Sequence, residues 1–205
     1  MSAKTDRRKI RTKKLLRKAL VEVIAEKGVN QITVSALTDK ADINRGTFYL
    51  HYMDAPDFLE QVKQEIWVAL KQRMEKLNPY DYLLFAAKKE PDPAMVKVIS
   101  YFAEHADFFM AMLGPKGDPA FARQIMDLLK QNHISKIMNL QPDLGEAIVP
   151  KDYLITYFAA SNLSILLHWM ETGMHQPPSA IALMITHIVG SGARHLLGIE
   201  PIRNE

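Results

Sequence analysis

The sequence predicts an all-α protein, in which an N-terminal three-helix helix-turn-helix domain precedes a larger helical domain. Apolar residues recur at helical spacing along most of the 205 residues. Proline and glycine fall between these segments, and no segment alternates apolar and polar residues as a strand would. With 48% hydrophobic residues, the chain can bury a sizeable core.

The first helix is predicted from about Lys9 to Lys27. Its apolar stripe has i, i+4, i+7, i+8 spacing and consists of Leu16, Leu20, Val23 and Ile24. Gly28 follows, where a helix would end. The N-terminal half is basic, since residues 1–20 hold nine Lys or Arg against one Asp, although the whole chain carries only +3. Such a patch attracts nucleic-acid phosphates, and a solvated helix face is the alternative.

The next two helices are short and surround a tight turn. Thr33 is a suitable N-cap for a helix over 34–40, residues 41–43 form the turn, and Asn44 can cap a third helix. Two short helices around such a turn are typical of a helix-turn-helix.

The remaining segments also have helical patterns. A fourth helix runs from about Asp54 to Leu77 and ends at Asn78-Pro79. Further helices are expected at about 92–104, 105–113, 118–140, 151–172 and 178–197. We expect a helix-turn-helix domain over 1–53 and a second domain over 54–205, connected by helix 54–77. Segment 153–170 lacks formal charge, but its polar residues favour burial inside protein over a membrane span.

On a helical projection, the third helix has two different sides. Phe48 and Tyr52 are four residues apart and are expected to pack on the first two helices. Gly46 and Leu50 lie opposite. A glycine there is explained by close approach to a partner such as a base pair. Leu50 is either a contact for a thymine methyl group or a singly exposed leucine.

The stretch ITVSALTDKADINRGTFYLHYMDAPDFL, residues 32–59, resembles the DNA-binding signature of the TetR/AcrR family of bacterial transcriptional regulators. The residues that match are Thr33-Val34, Ala41, the RGTFY run at Arg45–Tyr49, and Tyr52. Further on, YLITYFAASNLSILLHWMETG followed by PPSAIALMI resembles one C-terminal branch of the family.

The resemblance implies roles for individual residues. Thr33 would contact phosphate, and Tyr49 would place its hydroxyl on phosphate. Arg45 is the best candidate to read guanine through two hydrogen bonds. Many members have a lysine at the start of the fourth helix, which residues 53–56 (MDAP) lack, and basic residues of the first helix can compensate. The candidate DNA-binding residues are Lys13, Lys14, Arg17, Thr33, Asn44, Arg45, Gly46, Thr47, Tyr49, Leu50 and His51.

The second domain is expected to form a homodimer and to bind a ligand. The helices near 151–172 and 178–197 are apolar enough for a dimer interface, in which small residues at 190–193 would allow close approach, although they can also be core helices of one chain. The pocket candidates are mainly aromatic or methionine residues, for which ordinary core is the alternative. They are Tyr101, Phe108, Phe109, Met112, His133, Asn162 and Trp169.

These features together predict a cytoplasmic homodimeric repressor that a small, largely apolar effector releases from a palindromic operator. An activator, a corepressor-dependent regulator and a non-specific DNA-packaging protein are the alternatives. The chain has no cysteine and no histidine pair at metal-ligand spacing, so we expect no disulfide, metal or cofactor. Charge continues along the N-terminal residues, so we expect no secretory signal there. Nucleophile-elbow, phosphate-loop and zinc-protease motifs do not occur, so we expect no enzymatic activity.

Overall fold

The computed structural model describes residues 2–139 and 149–197, and within these ranges the only regular secondary structure is helical. The α-helices are α1 (Ser2–Lys27), α2 (Val34–Ala41), α3 (Arg45–Tyr49), α4 (Ala55–Met74), α5 (Pro79–Lys88), α6 (Pro93–Glu104), α7 (Ala106–Leu113), α8 (Pro119–Leu129), α9 (Ser135–Met138), α10 (Lys151–Glu171) and α11 (Pro178–Leu197). A 3₁₀ turn covers Val29–Gln31, and a π turn over Lys130–Ile134 joins α8 to α9. None of the described helices combines the length and apolar character needed to cross a bilayer.

The chain forms two compact units. The first contains residues 2–68 and 107–122, and the second contains 69–106, 123–139 and 149–197. The boundary between them falls inside α4, whereas the sequence predicted a domain boundary at residue 53. The end of the DNA-binding domain at residue 53 stays a prediction.

Capping interactions determine the ends of the helices in the first unit. The side chain of Thr33 accepts a hydrogen bond from the backbone N–H of Ala36, as expected of an N-cap. Asp42 ends α2 in the left-handed conformation, with φ at 50°, and Asn44 caps α3. The predicted stripe of α1 is fully or almost fully buried. The chain therefore has the predicted helix-turn-helix.

Two predictions about helix ends were wrong. Helix α1 begins at Ser2 instead of about Lys9, because lysine, arginine and alanine favour helix even without an apolar stripe. Helix α5 was missed, because Asn78-Pro79 was interpreted only as the end of α4. In the structure Asn78 accepts a hydrogen bond from the N–H of Tyr80, and Pro79 occupies the first helical position. The π turn interrupts the helix predicted over 118–140, and no sequence feature that we identified explains it.

The core of the second unit includes contacts among α5, α6, α10 and α11. Helix α11 passes very close to α5, because a Cβ on Gly190 would lie 2.4 Å from the Cβ of Ala86. The hydroxyl of Tyr82 donates a hydrogen bond to the carbonyl of Ile185, at 2.8 Å. The sequence places Gly190 in a possible dimer interface, and in the structure the helix that approaches Gly190 is α5 of the same chain. The other small residues of that stretch, 191–193, have side chains outside the described part.

Candidate DNA-binding surface

Aromatic residues hold the inner side of α3 in place. Phe48 is fully buried and Tyr52 nearly so, and their ring centroids lie 5.5 Å apart. Both rings also contact Phe58 of α4, with centroid distances of 6.0 Å for Phe48 and 4.6 Å for Tyr52. The four-residue spacing predicted that Phe48 and Tyr52 share a buried side. It did not predict that α4 is a packing partner.

The opposite side of α3 faces solvent. Arg45, Gly46, Tyr49 and Leu50 are exposed, and Thr47 is half-buried. Leu50 exposes 79% of its surface, so its side chain is available for a contact. The side that the sequence assigned to DNA is therefore accessible.

Gly46 has a local structural role in addition to the predicted one. Its backbone N–H donates a hydrogen bond to Oδ1 of Asn44, at 2.7 Å. A Cβ at position 46 would lie 3.3 Å from that same oxygen, which is tighter than most Cβ contacts. The glycine thus permits the N-cap as well as a close approach to a partner, and Asn44 is already engaged through its acceptor oxygen.

Two further predicted contacts also have partners within the protein. The Thr33 hydroxyl uses its oxygen as acceptor for the N–H of Ala36, at 3.1 Å, so its own proton can still be donated to a phosphate. The guanidinium of Arg45 donates to the hydroxyl of Ser35 at 2.7 Å. This bond uses only one of the five guanidinium N–H donors, so Arg45 can also bind a base edge.

A basic groove lies between α1 and α3. It has a volume of about 590 Å³, and its α3 side includes Thr47, Leu50 and His51. Its α1 side includes Arg8, Lys9, Arg11 and Thr12. The sequence located the positive charge at this end of the chain, but the three cations chosen there lie further along α1. Arg8, Lys9 and Arg11 were missed, because only the folded chain places them beside α3.

His51 lies in a positively charged environment. Burial lowers the pKa of its imidazole below the ordinary value, and the charges of Lys9 and Lys13 lower it further. The ring is therefore neutral at neutral pH. A phosphate placed beside it would favour the protonated form.

Two parts of the chain match models of known protein families. Residues 16–60 match the family described as bacterial regulatory proteins, tetR family. Residues 89–191, about half of the chain, match the transcriptional regulator C-terminal region. The chain belongs to the TetR family of transcriptional regulators. Proteins of this family are regulators and not enzymes, and the first match covers their helix-turn-helix DNA-binding domain.

Individual relatives of this TetR-family chain are distant. An uncharacterized HTH-type transcriptional regulator, YxbF of Bacillus subtilis (strain 168), is 24% identical over 178 residues, or 85% of this chain and 43% of YxbF. The chain thus spans less than half the length of this curated relative. Two solved structures share the fold, each at 18% identity and a TM-score of 0.53. They are the dihydroxyacetone kinase operon activator DhaS (90% of this chain, 97% of DhaS) and FadR from Bacillus subtilis in complex with stearoyl-CoA (87% of this chain, 97% of FadR).

In this TetR-family regulator, two of the predicted phosphate contacts of α1 are engaged in ion pairs. Arg17 donates a hydrogen bond to Glu65 of α4, and the Lys13 ammonium lies 3.5 Å from the other oxygen of that carboxylate. Lys13 and Glu65 expose 46% and 49% of their side-chain surface and Arg17 exposes 35%, so solvent screens both pairs and they are weak. Lys14 is exposed and forms no ion pair within the described ranges. If Lys13 and Arg17 contact phosphates as predicted, Glu65 would compete with the DNA for them, and the sequence did not indicate this pairing.

Acidic side chains cap the start of α4, where the family lysine is missing. The N–H of Met53 donates to the Asp57 carboxylate at 2.9 Å, and the N–H of Asp57 donates to Asp54 at 2.8 Å. The bond from Met53, which has the largest effect, and a side-chain hydrogen bond from Gln61 lower the pKa of the Asp57 carboxyl, although its partial burial raises it. Negative charge at a helix N-terminus stabilises the helix, but it does not attract phosphate.

The predicted ligand residues are spread over both units. Phe108, Phe109 and Met112 are buried in the first unit, where the Phe108 ring contacts the rings of Phe109 and Phe121. The others are in the second unit, where Tyr101, Asn162 and Trp169 are buried and the side chain of His133 lies outside the described part. None of those with described side chains lines the basic groove or the cavity of about 720 Å³ in the second unit. Their role in ligand binding stays a prediction.

The loop over 114–118 also belongs to the first unit. The Lys116 ammonium donates to the carbonyls of Ala25 and Glu26 at the end of α1, at 3.0 and 2.8 Å. Asp118 accepts a 2.9 Å hydrogen bond from Lys63 of α4. Burial raises the pKa of Asp118, but the bond from Lys63 and two backbone N–H groups outweigh this effect and hold it below the ordinary value. No sequence feature indicated these contacts between segments far apart in the chain.

Proposed function

We propose that this TetR-family regulator is a cytoplasmic homodimeric repressor that binds a palindromic operator and leaves it when a small molecule binds its second unit. The observation that carries the proposal is the exposed side of α3 beside a groove lined with cations from α1. A short exposed helix next to a basic surface suits a major groove bordered by phosphates.

Different residues of this surface would contribute affinity and specificity. Arg45 at the start of α3 would read guanine, and Leu50 would contact a thymine methyl group. Thr33, Tyr49 and the cations of α1 would contact phosphates, which set the register without reading sequence. Thr47 and His51 lie between these groups and line the basic groove.

The dimer is supported by exposed apolar side chains on the last two helices. Tyr153 and Tyr157 on α10 expose more than half of their surface, and Met184 and Ile188 on α11 expose 45% and 40%. Each pair is four residues apart and so occupies one side of its helix. Exposed apolar side chains grouped in this way are typical of protein interfaces. A two-fold dimer would present its two α3 helices to successive major grooves, about 34 to 36 Å apart.

The DNA-binding role is tested by selecting bound sequences from a random pool and titrating the selected and random duplexes with salt. A specific regulator prefers the selected duplex by about 10³-fold or more, whereas a packaging protein shows little preference. Arg45→Ala should cost about 1 to 3 kcal/mol on the selected site and much less on random DNA. Lys14→Ala is the matched control, since loss of a phosphate contact weakens both duplexes alike. Equal losses for Arg45→Ala would contradict its role in base reading.

The dimer is tested separately by analytical ultracentrifugation. Ile188→Lys puts a charge into the proposed interface, so the variant should sediment as a monomer and lose affinity for the selected site. Leu84→Lys changes a comparably exposed apolar residue on α5, and this control should remain dimeric. A dimeric Ile188→Lys variant would place the interface elsewhere.

The direction of control is tested in a reporter strain. A repressor lowers transcription from the selected operator, and its effector restores transcription by binding more tightly to the DNA-free conformation. Activation is the second candidate function, because DhaS, which has the same fold, is named an operon activator. FadR was solved with stearoyl-CoA, which supports a small-molecule effector for this chain. Higher transcription in the presence of the regulator alone would show that the protein is an activator and not a repressor.

A further inference from the structure

The second unit contains a large polar cavity. Its volume is about 720 Å³, within the size range of small-molecule sites. It is formed by the end of α4, by α5, and by the start and one side of α6. The polar and charged side chains that line it are Gln72, Arg73, Lys76, Asp81, Asp92, Lys97, Ser100 and Glu104.

Asp92 is the least exposed of these side chains, with 2% of its surface accessible. Its Oδ1 atom accepts a hydrogen bond from the N–H of Ala94 at 2.8 Å and so caps α6. Its Oδ2 atom is buried and has no hydrogen-bond partner in the structure. A buried carboxylate oxygen without a donor is strongly unfavourable, so a donor from outside the chain suits this position.

The nearby tyrosine does not supply that donor. Tyr82 is buried and donates its single hydroxyl proton to the carbonyl of Ile185. Burial raises the pKa of Tyr82 well above its ordinary value, Thr186 lowers it partly, and the charge of Asp92 raises it again. Burial also raises the pKa of Asp92, as does the charge of Asp81, against two backbone hydrogen bonds that lower it. A cationic donor would relieve this accumulation of negative charge.

The same cavity offers positive charge for an anionic group. Arg73 is held by a hydrogen bond to the carbonyl of Ala69 at 2.8 Å and lies 4.1 Å from the centroid of the Tyr101 ring. Lys76 and Lys97 line the cavity and form no ion pair within the described ranges. Three cationic side chains therefore face the same space as three carboxylates. This balance suits a ligand that carries both charges.

We propose that this cavity binds a small zwitterion, with its ammonium on Oδ2 of Asp92 and its carboxylate or phosphate on Lys97 and Lys76. The ligand would be the effector, and only this last step rests on the proposed regulatory function. The class differs from the largely apolar effector that the sequence predicted, because none of the predicted aromatic and methionine residues lines this cavity.

The test is isothermal titration calorimetry on the full chain without DNA. The zwitterionic probes are glycine, γ-aminobutyrate, O-phosphoethanolamine and glucosamine 6-phosphate. Glucose 6-phosphate lacks the ammonium group of glucosamine 6-phosphate, and glucosamine lacks its phosphate. Decanoate represents an apolar ligand. We expect at least one zwitterion to bind, and to bind about tenfold or more tightly than its counterparts with one charge.

Two variants locate the binding site. Asp92→Asn keeps an oxygen for the N-cap of α6 but replaces the negative charge, and it should weaken zwitterion binding about tenfold or more. Lys97→Ala changes an exposed residue, should fold normally, and should weaken binding of the anionic end. Lys88→Ala on α5 is the control, since Lys88 does not line the cavity. Thermal melting checks that each variant is folded.

The outcomes separate this inference from the proposed function. The inference is overturned if no zwitterion binds, if binding is unchanged in Asp92→Asn and Lys97→Ala, or if only decanoate binds. If a zwitterion binds in the cavity and DNA selection recovers no site, the cavity assignment stands and the regulatory function fails.

Discussion

The close packing of α11 on α5 allows a quantitative test of the fold of the second unit. Replacing Gly190 by alanine would put a Cβ atom 2.4 Å from the Cβ of Ala86, whereas carbon atoms in good contact are about 3.5 to 4.0 Å apart. Both atoms are fixed to helix backbones, so no side-chain rotation relieves the overlap. The two helices must separate by about 1 Å, and neighbouring contacts are lost.

The expected magnitude combines two opposite effects. Overpacking of a core typically costs about 1 to 3 kcal/mol, and the direct methyl-to-methyl overlap favours the upper part of that range. Alanine is favoured over glycine in a helix by about 1 kcal/mol. We therefore expect Gly190→Ala to lower the free energy of unfolding by about 1 to 2 kcal/mol. Ala86→Gly should cost about 1 kcal/mol on its own, because it places glycine in α5.

The decisive measurement is the double variant that exchanges the two residues. Gly190→Ala with Ala86→Gly restores one methyl group and one glycine at the crossing, so its stability should return close to that of the wild type. If the two changes were independent, the double variant would lose the sum of the single losses, about 2 to 3 kcal/mol. Because we expect almost no loss in the double variant, the coupling energy between the two positions should be about 2 to 3 kcal/mol. Urea unfolding followed by circular dichroism at one fixed protein concentration measures all four proteins. A double variant as unstable as that sum would refute the close crossing of α5 and α11.

Three further predictions concern the first unit. Fluorescence anisotropy should show that DNA affinity rises as pH falls from about 7 to 6, because DNA phosphates favour protonation of His51, whose pKa is lowered in the free protein. His51→Gln should flatten this pH dependence. An unchanged pH dependence in the variant would exclude His51 as its source. Glu65→Gln should release two cations of α1, so the slope of log K for DNA binding against log salt concentration should steepen by about 0.9 for each additional phosphate that these cations neutralise. The control Glu75→Gln should leave this slope unchanged. Equal slopes in both variants would contradict competition by Glu65. Asp118→Asn should lower the free energy of unfolding at neutral pH by about 1 to 3 kcal/mol, because the charged bond to Lys63 is lost. Since folding lowers the pKa of Asp118, this stabilisation exists above about pH 4 and disappears as pH falls through the folded pKa. If urea titrations show that the difference from wild type persists in acid, the charged bond is not its source.

Local sequence features predicted the helix-turn-helix because local interactions determine it. Thr33 and Asn44 cap helices through atoms only two or three residues away. The four-residue spacing alone predicted that Phe48 and Tyr52 are buried together, and both are buried although Tyr52 follows the end of α3. By contrast, α5 was missed because Asn78-Pro79 was interpreted as the end of a helix, whereas α4 ends at Met74 and Asn78-Pro79 begins α5.

The less predictable parts of the site depend on residues far apart in the chain. Glu65 engages Arg17 across 48 positions, and nothing near either residue indicates this pairing. The polar cavity brings together the end of α4 with α5 and α6, and its unpartnered carboxylate belongs to Asp92, a residue that the sequence shows only as a helix cap. Periodicity identifies which side of a helix is apolar, but it does not identify the neighbouring helix.

The structure of α3 indicates how a DNA reader of this size is kept in place. A helix of five residues, Arg45–Tyr49, is far below the length at which an isolated helix is stable in water. Its orientation must therefore come from tertiary packing, and Phe48 and Tyr52 provide this packing through their contacts with Phe58 of α4. A displacement of the first turns of α4 would carry these rings and the reader with it. In the proposed function, an effector that moved the first turns of α4 would therefore move Arg45 without reaching the DNA-binding surface.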